Sequence, residues 1–347
     1  MRRLGWTGAV AALVAAALVS VISAASPHFP LRIDFPPNPN TGANWAAEGI
    51  FGHGHTFYAG DTTNGAVLKG DVRTGESSIL VPAAAQGAKA AFGLFVDKWD
   101  RLWVANGAAP NANERHALVY DADTGALIRD ITLATGPFPA GGAFGIINDV
   151  TVTKDAAYLT NTNNATNPGA NVLFKVPLGK HGEIGTPTTV PIPFFGANGI
   201  EATKNGKTLV IAGFTTGEYF TLDTETNAVH KIDITENGAP ASLPRGDGLI
   251  LKGNTLYIVL NLPSAAFPGM CGDVAVVKLH DQMTTGEVID HLNSPDDPLV
   301  NPATADLFGR YLYVVRRNGT FPGCTTTGLT AERWLTRLDK KGDDDED

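Results

Sequence analysis

The sequence predicts an all-β chain folded as a six-bladed β-propeller, in which each blade is a four-stranded antiparallel sheet. One short pattern recurs six times at intervals of about fifty residues, a period that falls within the range of propeller blades. Each copy is followed by a second pair of alternating strands joined by Gly or Asn turns, and helical periodicity is absent from the chain. Two hairpins per repeat give four strands per blade.

The repeat is a short strand that opens on a polar residue or a glycine and is followed by a turn and a second alternating strand. Such a unit is a hairpin that buries its faces only against neighbouring units. The copies begin at or near Glu48, Gly93, Asn148, Asn198, Asp247 and Ala305. Before the first copy, Leu31 to Phe35 alternates like a strand. We expect this segment to pair with the last blade, because a ring needs its two ends fastened.

The two ends of the chain differ from the repeats. Arg2 and Arg3 precede an apolar run and the small residues around Ala24, which predicts a secretory signal peptide over residues 1–25. An uncleaved membrane anchor is the alternative. Residues 26–340 then form the propeller, and residues 341–347, which end in Asp343-Asp344-Asp345-Glu346-Asp347, are predicted to be a disordered acidic tail.

The charge balance bears on the kind of partner. The 347 residues carry a formal net charge of −9 without basic clusters, which argues against nucleic acid as a partner. We expect a secreted monomer that acts on a small molecule and has no membrane contact after signal cleavage. In a eukaryotic host, Asn164 and Asn318 would be glycosylated, since each begins an Asn-x-Thr sequon.

The two cysteines, Cys271 and Cys324, fall in equivalent long loops of adjacent blades. In a secreted chain this arrangement predicts one disulfide that ties the loops together at the rim of the site. Two buried free thiols are the alternative.

Four copies of the repeat open on a residue with a side-chain oxygen: Glu48, Asn148, Asn198 and Asp247. A closed propeller brings these positions together at the mouth of its central channel. Two carboxylates and two amide oxygens form a hard ligand set that suits Ca²⁺, although other divalent metals could substitute in vitro. The alternative is that Asn-Gly and Asp-Gly are ordinary turn pairs, or that the polar residues cap strand starts. Carboxylates facing each other would repel, and a cation removes that cost.

These pairs, at these spacings, resemble the senescence marker protein and gluconolactonase family of six-bladed propellers, and more distantly the paraoxonases and strictosidine synthases. The resemblance implies that Glu48, Asn198 and Asp247 bind a divalent metal. It also implies that Asn148 contacts the substrate or completes the metal shell, and that Asp247 is the base in lactone hydrolysis. Asp149 is a second candidate base, although strand alternation turns it away from the channel if Asn148 faces it.

The sequence departs from this family beside Asn148. Gluconolactonases carry an arginine shortly before their first asparagine, whereas this chain has Gly145-Ile146-Ile147. The surrounding apolar residues predict a less polar substrate; they are Phe144, Ile146, Phe194 and Phe195. We expect Phe144 and Phe195 to contact it, together with Asn106 and His116 from a long loop on the same face.

The sequence therefore predicts a secreted, calcium-dependent hydrolase of a lactone or ester, in which the metal polarises the carbonyl and an Asp activates water. The main alternative keeps the fold without the chemistry, as a metal-stabilised scaffold that binds a small molecule or protein through its long loops. A strictosidine-synthase-like enzyme of specialised metabolism is the third possibility. The sequence contains neither a Gly-x-Ser-x-Gly elbow nor a Walker loop.

Overall fold

The computed structural model describes residues 29–37, 45–85, 90–106, 114–136, 145–163, 171–262, 271–294, 297–317 and 334–339. Several predictions fall outside these residues and stay predictions; they concern the signal peptide, the acidic tail, Phe144, Asn164, Asn318 and Cys324. Among the described residues, no helix has the length and apolar character needed to cross a membrane.

The described chain forms six sheets in sequence order, which confirms the predicted propeller. Blade 1 contains β2 (Ala47–His53), β3 (Thr56–Asp61), β4 (Val67–Asp71) and β5 (Ser77–Val81). Blade 2 contains β6 (Leu94–Val96), β7 (Arg101–Asn106), β8 (Glu114–Asp121) and β9 (Leu127–Thr135). Blade 3 contains β10 (Ile146–Val152), β11 (Ala156–Thr162), β12 (Val172–Pro177) and β13 (Thr188–Pro191).

The second half of the ring follows the same order. Blade 4 contains β14 (Ala197–Ala202), β15 (Thr208–Gly213), β16 (Glu218–Asp223) and β17 (Val229–Lys231). Blade 5 contains β18 (Asp233–Glu236), β19 (Ala239–Pro240), β20 (Gly246–Lys252), β21 (Thr255–Leu260), β22 (Asp273–His280) and β23 (Thr285–Leu292). Blade 6 contains β24 (Pro302–Phe308), β25 (Tyr311–Arg316), β26 (Trp334–Asp339) and the N-terminal β1 (Arg32–Asp34).

The first strands of the six hairpin repeats, β2, β6, β10, β14, β20 and β24, contact one another in a closed cycle. They therefore surround the central channel. Six buried hydrophobic clusters each join two neighbouring blades. Trp103 of blade 2, for example, is fully buried against Leu159 and Phe174 of blade 3. The core thus lies between blades, and a single blade has no core of its own.

The ring closes as expected. The N-terminal strand β1 pairs antiparallel with the C-terminal β26, and Ile33 is buried in the cluster between blades 6 and 1. The Arg32 guanidinium lies 3.6 Å from the centre of the Trp334 ring, a cation–π contact. The Tyr313 hydroxyl also donates to the Pro30 carbonyl, at 2.8 Å. The two ends of the described chain are held together by backbone pairing and side-chain contacts.

Blade 5 carries one hairpin that the sequence analysis did not predict. Strand β18 runs parallel to β23, and β19 returns beside β18. Asn237 and Gly238 form the turn, both with positive φ, so the Asn-Gly hairpin signal is present in the sequence. The His291 ring of β23 contacts Asp273 at 2.5 Å and Glu236 of the extra hairpin at 3.1 Å. Burial opposes the charge of His291, but these two carboxylates raise its pKa.

Two half-buried carboxylates, Asp149 and Asp306, link inner strands of adjacent blades. Asp149 accepts hydrogen bonds from the backbone N–H of Val150 at 2.8 Å and of Ile200, in the next blade, at 3.0 Å. Asp306 accepts from the N–H of Gly52, across the closure between blades 6 and 1, at 2.5 Å. Burial raises the pKa of each carboxyl to about 7. These side chains help to set the spacing of the strands around the channel.

Candidate functional site

Five inner strands interrupt their pairing at the same point. The register shifts fall between Ala47/Ile50, Ile147/Val150, Ala197/Ile200, Gly246/Leu249 and Pro302/Ala305. A bulge of this kind bends the strand and re-aims a side chain, and bulges are frequent beside active sites. In blades 1, 3, 4 and 5 the first bulged residue is Glu48, Asn148, Asn198 or Asp247. The repeat places the four predicted site residues in one structural position.

The glycine after three of these residues is required by packing. A Cβ on Gly49 would lie 2.0 Å from the carbonyl oxygen of Phe92, and one on Gly199 would lie 2.2 Å from the carbonyl oxygen of Asp247. Gly49, Gly199 and Gly248 all lie outside the positive-φ region. The alternative of ordinary turn pairs is therefore wrong for these positions, which are bulged strands packed against the next blade.

Glu48, Asn198 and Asp247 come together at one end of the channel. One nitrogen of Arg317, Nη1, lies 3.5 Å from Oδ2 of Asp247 and 4.0 Å from Oε1 of Glu48. The Asn198 side chain also hydrogen-bonds to the Asp247 carboxylate. Asn148 occupies the equivalent bulge of blade 3. All four predicted site residues are buried.

Burial is the largest influence on the pKa of both carboxylates. The pKa of Glu48 is raised well above its usual value by burial and by the charge of Asp247, and Arg317 opposes this shift. Burial likewise raises the pKa of Asp247, whereas Arg317 and hydrogen bonds from Asn261 and Asn198 lower it. The pair therefore favours a bound proton or cation.

Two side chains of the site make no hydrogen bond within the described part of the chain, although Glu48 lies 4.0 Å from Arg317. The Glu48 carboxylate and the Asn148 carboxamide are both buried, and neither makes a hydrogen bond to a described residue. Buried polar groups are rarely left unpaired, because desolvation without a partner costs about 1 to 3 kcal/mol each. Side-chain groups that make no hydrogen bond to a described residue are available here for a ligand or ion.

The donor set fits a hard divalent cation when the amide oxygens are included. The described residues contain no cluster of three or more His, Cys, Asp or Glu side chains suited to a metal. A metal at this mouth would therefore use the two carboxylates together with amide oxygens of Asn198 and Asn148. That all-oxygen combination is typical of Ca²⁺ ligation.

The sequence analysis missed Arg317 and Asn261, which contact Asp247. Asn261 donates to Oδ2 of Asp247 at 3.0 Å and also to the carbonyl of Pro302. Both residues directly follow the second strand of a blade, β25 or β21. These two positions could have been predicted from the sequence. In an antiparallel hairpin the second strand ends at the same end of the channel at which the inner strand begins.

The candidate substrate contacts occupy different environments. Asn106 ends β7 and is buried, with its Oδ1 accepting from the N–H of Ala90 at 3.4 Å. His116 was expected in a loop, which is wrong: it lies inside β8, and its two ring nitrogens contact Asp130 at 2.6 Å and Glu114 at 3.2 Å. A strand forms here because His116 pairs with Asn106 in register.

The residues of the predicted apolar neighbourhood lie in different environments. Phe194 belongs to the core between blades 3 and 4, where its ring stacks on Phe220 at 3.8 Å between centroids. Phe195 is half-buried and Ile146 is exposed, so these two remain accessible near the start of their inner strands. In Asp149, the second candidate base, both carboxylate oxygens accept hydrogen bonds from backbone N–H groups.

Comparisons with known proteins support the fold. No protein-family model matches the chain, and no curated protein matches it. Among solved structures, the Malassezia sympodialis allergen Mala s 1 is 13% identical with a TM-score of 0.59, and the match covers 90% of this chain and 97% of that one. A luciferin-regenerating enzyme is 15% identical with a TM-score of 0.56, covering 86% and 93%. The Kuenenia stuttgartiensis hydrazine synthase is 16% identical with a TM-score of 0.52, covering 78% and 74%.

These neighbours include an allergen and enzymes of unrelated chemistry. At such low identity the likeness concerns the fold alone, and propellers host many functions. Function must therefore be argued from the site.

Proposed function

We propose that this protein is a calcium-dependent hydrolase that opens a lactone or cleaves an ester at the channel mouth. The observation that carries the proposal is the convergence of two buried carboxylates, Glu48 and Asp247, beside buried amides. A solved neighbour with the same fold, the luciferin-regenerating enzyme, is named for an enzymatic activity, which is consistent with catalysis on this scaffold.

The residues that would hold Ca²⁺ are Glu48, Asn198 and Asp247, with Asn148 completing the shell or contacting the substrate. Bound Ca²⁺ would act as a Lewis acid that polarises the substrate carbonyl. The family resemblance described above assigns these same roles. The protein holds the donors in place through the bulges and through the hydrogen bond from Asn261 to Asp247.

In the proposed reaction, Asp247 accepts a proton from water as the water oxygen attacks the carbonyl carbon. The acyl carbon–oxygen bond then breaks, and the departing alkoxide takes the proton back from Asp247. A lactone yields a hydroxy acid, and an ester yields an acid and an alcohol. Asn261 keeps the Asp247 carboxylate oriented, since it donates to Oδ2 of that residue. Phe195 and Ile146 provide apolar surface beside the mouth.

The proposal predicts turnover of simple lactones or aryl esters that is lost when EGTA removes Ca²⁺ and returns when Ca²⁺ is added back. The measurement is initial rate across a panel of γ-lactones, δ-lactones and phenyl esters, with Mg²⁺ plus EGTA as the control for ionic effects. Rates unaffected by EGTA would contradict metal-dependent hydrolysis. Thermal stabilisation by Ca²⁺ without turnover on the panel would favour the metal-stabilised scaffold instead.

A further inference from the structure

Arg317 is the most exposed charged group of the site. Its side chain is 30% exposed, whereas those of Glu48 and Asp247 are 3% and 4% exposed. It directly follows β25, the second strand of blade 6. The guanidinium is therefore the part of this cluster that is most accessible to an incoming substrate.

Blade 6 has room for this arginine because its inner strand carries no polar side chain at the repeated position. The residue equivalent to Glu48 and Asp247 in the bulge of blade 6 is Ala303, which is fully buried. Blade 6 lies between blade 5 and blade 1 in the ring. Arg317 can therefore reach the carboxylates of both neighbouring blades from one position.

Among the described residues, the N–H donors of Arg317 meet only distant acceptors. Its contacts to Asp247 at 3.5 Å and Glu48 at 4.0 Å are longer than a charge-assisted hydrogen bond, which measures about 2.7 to 2.9 Å. It makes no hydrogen bond to another described residue. The adjacent Arg316 differs: its Nη1 lies 2.8 Å from Asp297, and its guanidinium lies 4.1 Å from the Trp334 ring. Arg316 is a structural residue, whereas within the described residues no hydrogen bond occupies the N–H groups of Arg317.

We propose that Arg317 binds an anionic group of the substrate, so that the preferred substrate is a lactone or ester that carries a carboxylate. The reaction class rests on the function proposed above, whereas recognition of the anion rests on Arg317 alone. Arginine suits this role because its planar fork can donate two parallel hydrogen bonds to a carboxylate.

The charge of the site couples this recognition to the metal. With Glu48 and Asp247 both ionised, the site including Arg317 carries one net negative charge, which disfavours an anion, and a proton on the pair leaves no net charge. A bound divalent cation reverses the sign and leaves one net positive charge. Anion binding is therefore expected to strengthen when Ca²⁺ is present, and an anion must strengthen Ca²⁺ binding by the same factor.

The test is calorimetric binding of tetrahydrofuran-carboxylate and its matching carboxamide, two probes of nearly equal shape that contain no lactone. In Ca²⁺-saturated wild-type protein, the carboxylate should bind about tenfold more tightly than the amide, the difference expected for one charge-assisted interaction. Arg317→Gln should reduce this ratio to about one, and Arg317→Lys should retain part of it because the charge remains without the fork. Lys252→Gln, at the exposed far end of β20, is the matched control and should keep the wild-type ratio.

A second readout separates this role from misfolding. Arg317→Gln should bind Ca²⁺ more tightly than wild type by a few-fold, because it removes a positive charge that competes for the carboxylates; a damaged fold would weaken Ca²⁺ binding. Equal affinity of the two probes in wild type, no binding of either, or a carboxylate preference that survives in Arg317→Gln would overturn the proposal. Absence of hydrolysis with the preference intact would instead count against the proposed reaction alone.

Discussion

Asp247→Asn should lower kcat/KM for lactone or ester hydrolysis by at least about a hundredfold. The carboxylate is the proposed proton acceptor, and general base catalysis contributes about 10²- to 10⁴-fold. The substitution also removes one of the two negative charges of the cation site, so Ca²⁺ affinity should fall as well. Asparagine preserves the shape of the side chain and can still accept a hydrogen bond from Asn261. The measurement is steady-state kinetics at saturating Ca²⁺, so that lost metal does not mimic lost base.

The matched control for this substitution is Asp306→Asn. Asp306 is another carboxyl of the inner strands with a pKa raised by burial, but it accepts backbone N–H groups of Gly52 and Leu307 away from the four bulged site residues. Its variant should keep hydrolysis while Asp247→Asn loses it. Equal activity of Asp247→Asn and wild type would remove Asp247 from the mechanism.

Gly49→Ala should cost more stability than any other single methyl addition discussed here. A Cβ at this position would lie 2.0 Å from the carbonyl oxygen of Phe92 and 2.9 Å from its carbonyl carbon. Both are backbone atoms of the next blade, so a rotamer change cannot relieve the clash. Overpacking typically costs about 1 to 3 kcal/mol, and we expect the upper end or beyond. The measurement is urea denaturation, which gives the free energy of unfolding.

Gly253→Ala provides the comparison. Gly253 has φ of +58°, but no atom lies within 4 Å of a Cβ placed there, so this variant reports backbone strain without a clash. It should lose about 1 kcal/mol. If Gly49→Ala lost no more than Gly253→Ala, the contact between blades 1 and 2 would be looser than described, and the position of Glu48 beside it would be in doubt.

The fold could be predicted from the sequence because each blade is encoded by the same short residue pattern. Each inner strand repeats the same order of polar residue, small residue and alternating apolar residues, and each must pack on two neighbours. The repeat also located Glu48, Asn198 and Asp247 correctly in space, since equivalent positions of a closed ring converge on its axis. The N-terminal strand β1 was predicted to pair with the last blade for a different reason. Without β1, strand β26 would expose an unpaired sheet edge.

The missed features do not follow the repeat. Arg317 and Asn261 reach Asp247 from the ends of second strands. Of the described residues that directly follow a second strand, only Arg317 is an arginine. The hairpin β18–β19 is an insertion in one blade, and a search for common units passes over its Asn237-Gly238 turn. His116 was placed in a loop because β8 has eight residues and begins at Glu114, whereas the third strands of blades 1, 3 and 4 have five or six. The sequence repeat predicts the residues that the blades have in common, whereas the missed features occur in individual blades.

The central claim is that residues of separate blades hold one Ca²⁺ at the channel mouth. Its most direct test is calorimetric titration of Ca²⁺ into chelator-treated wild-type protein and into Glu48→Gln, a variant that changes the buried carboxylate with no hydrogen-bond partner among the described residues. The account predicts a single site in wild type and an affinity at least about tenfold weaker in Glu48→Gln, since a ligand charge is lost. Absence of Ca²⁺ binding to wild type, or equal affinity in the two proteins, would contradict it.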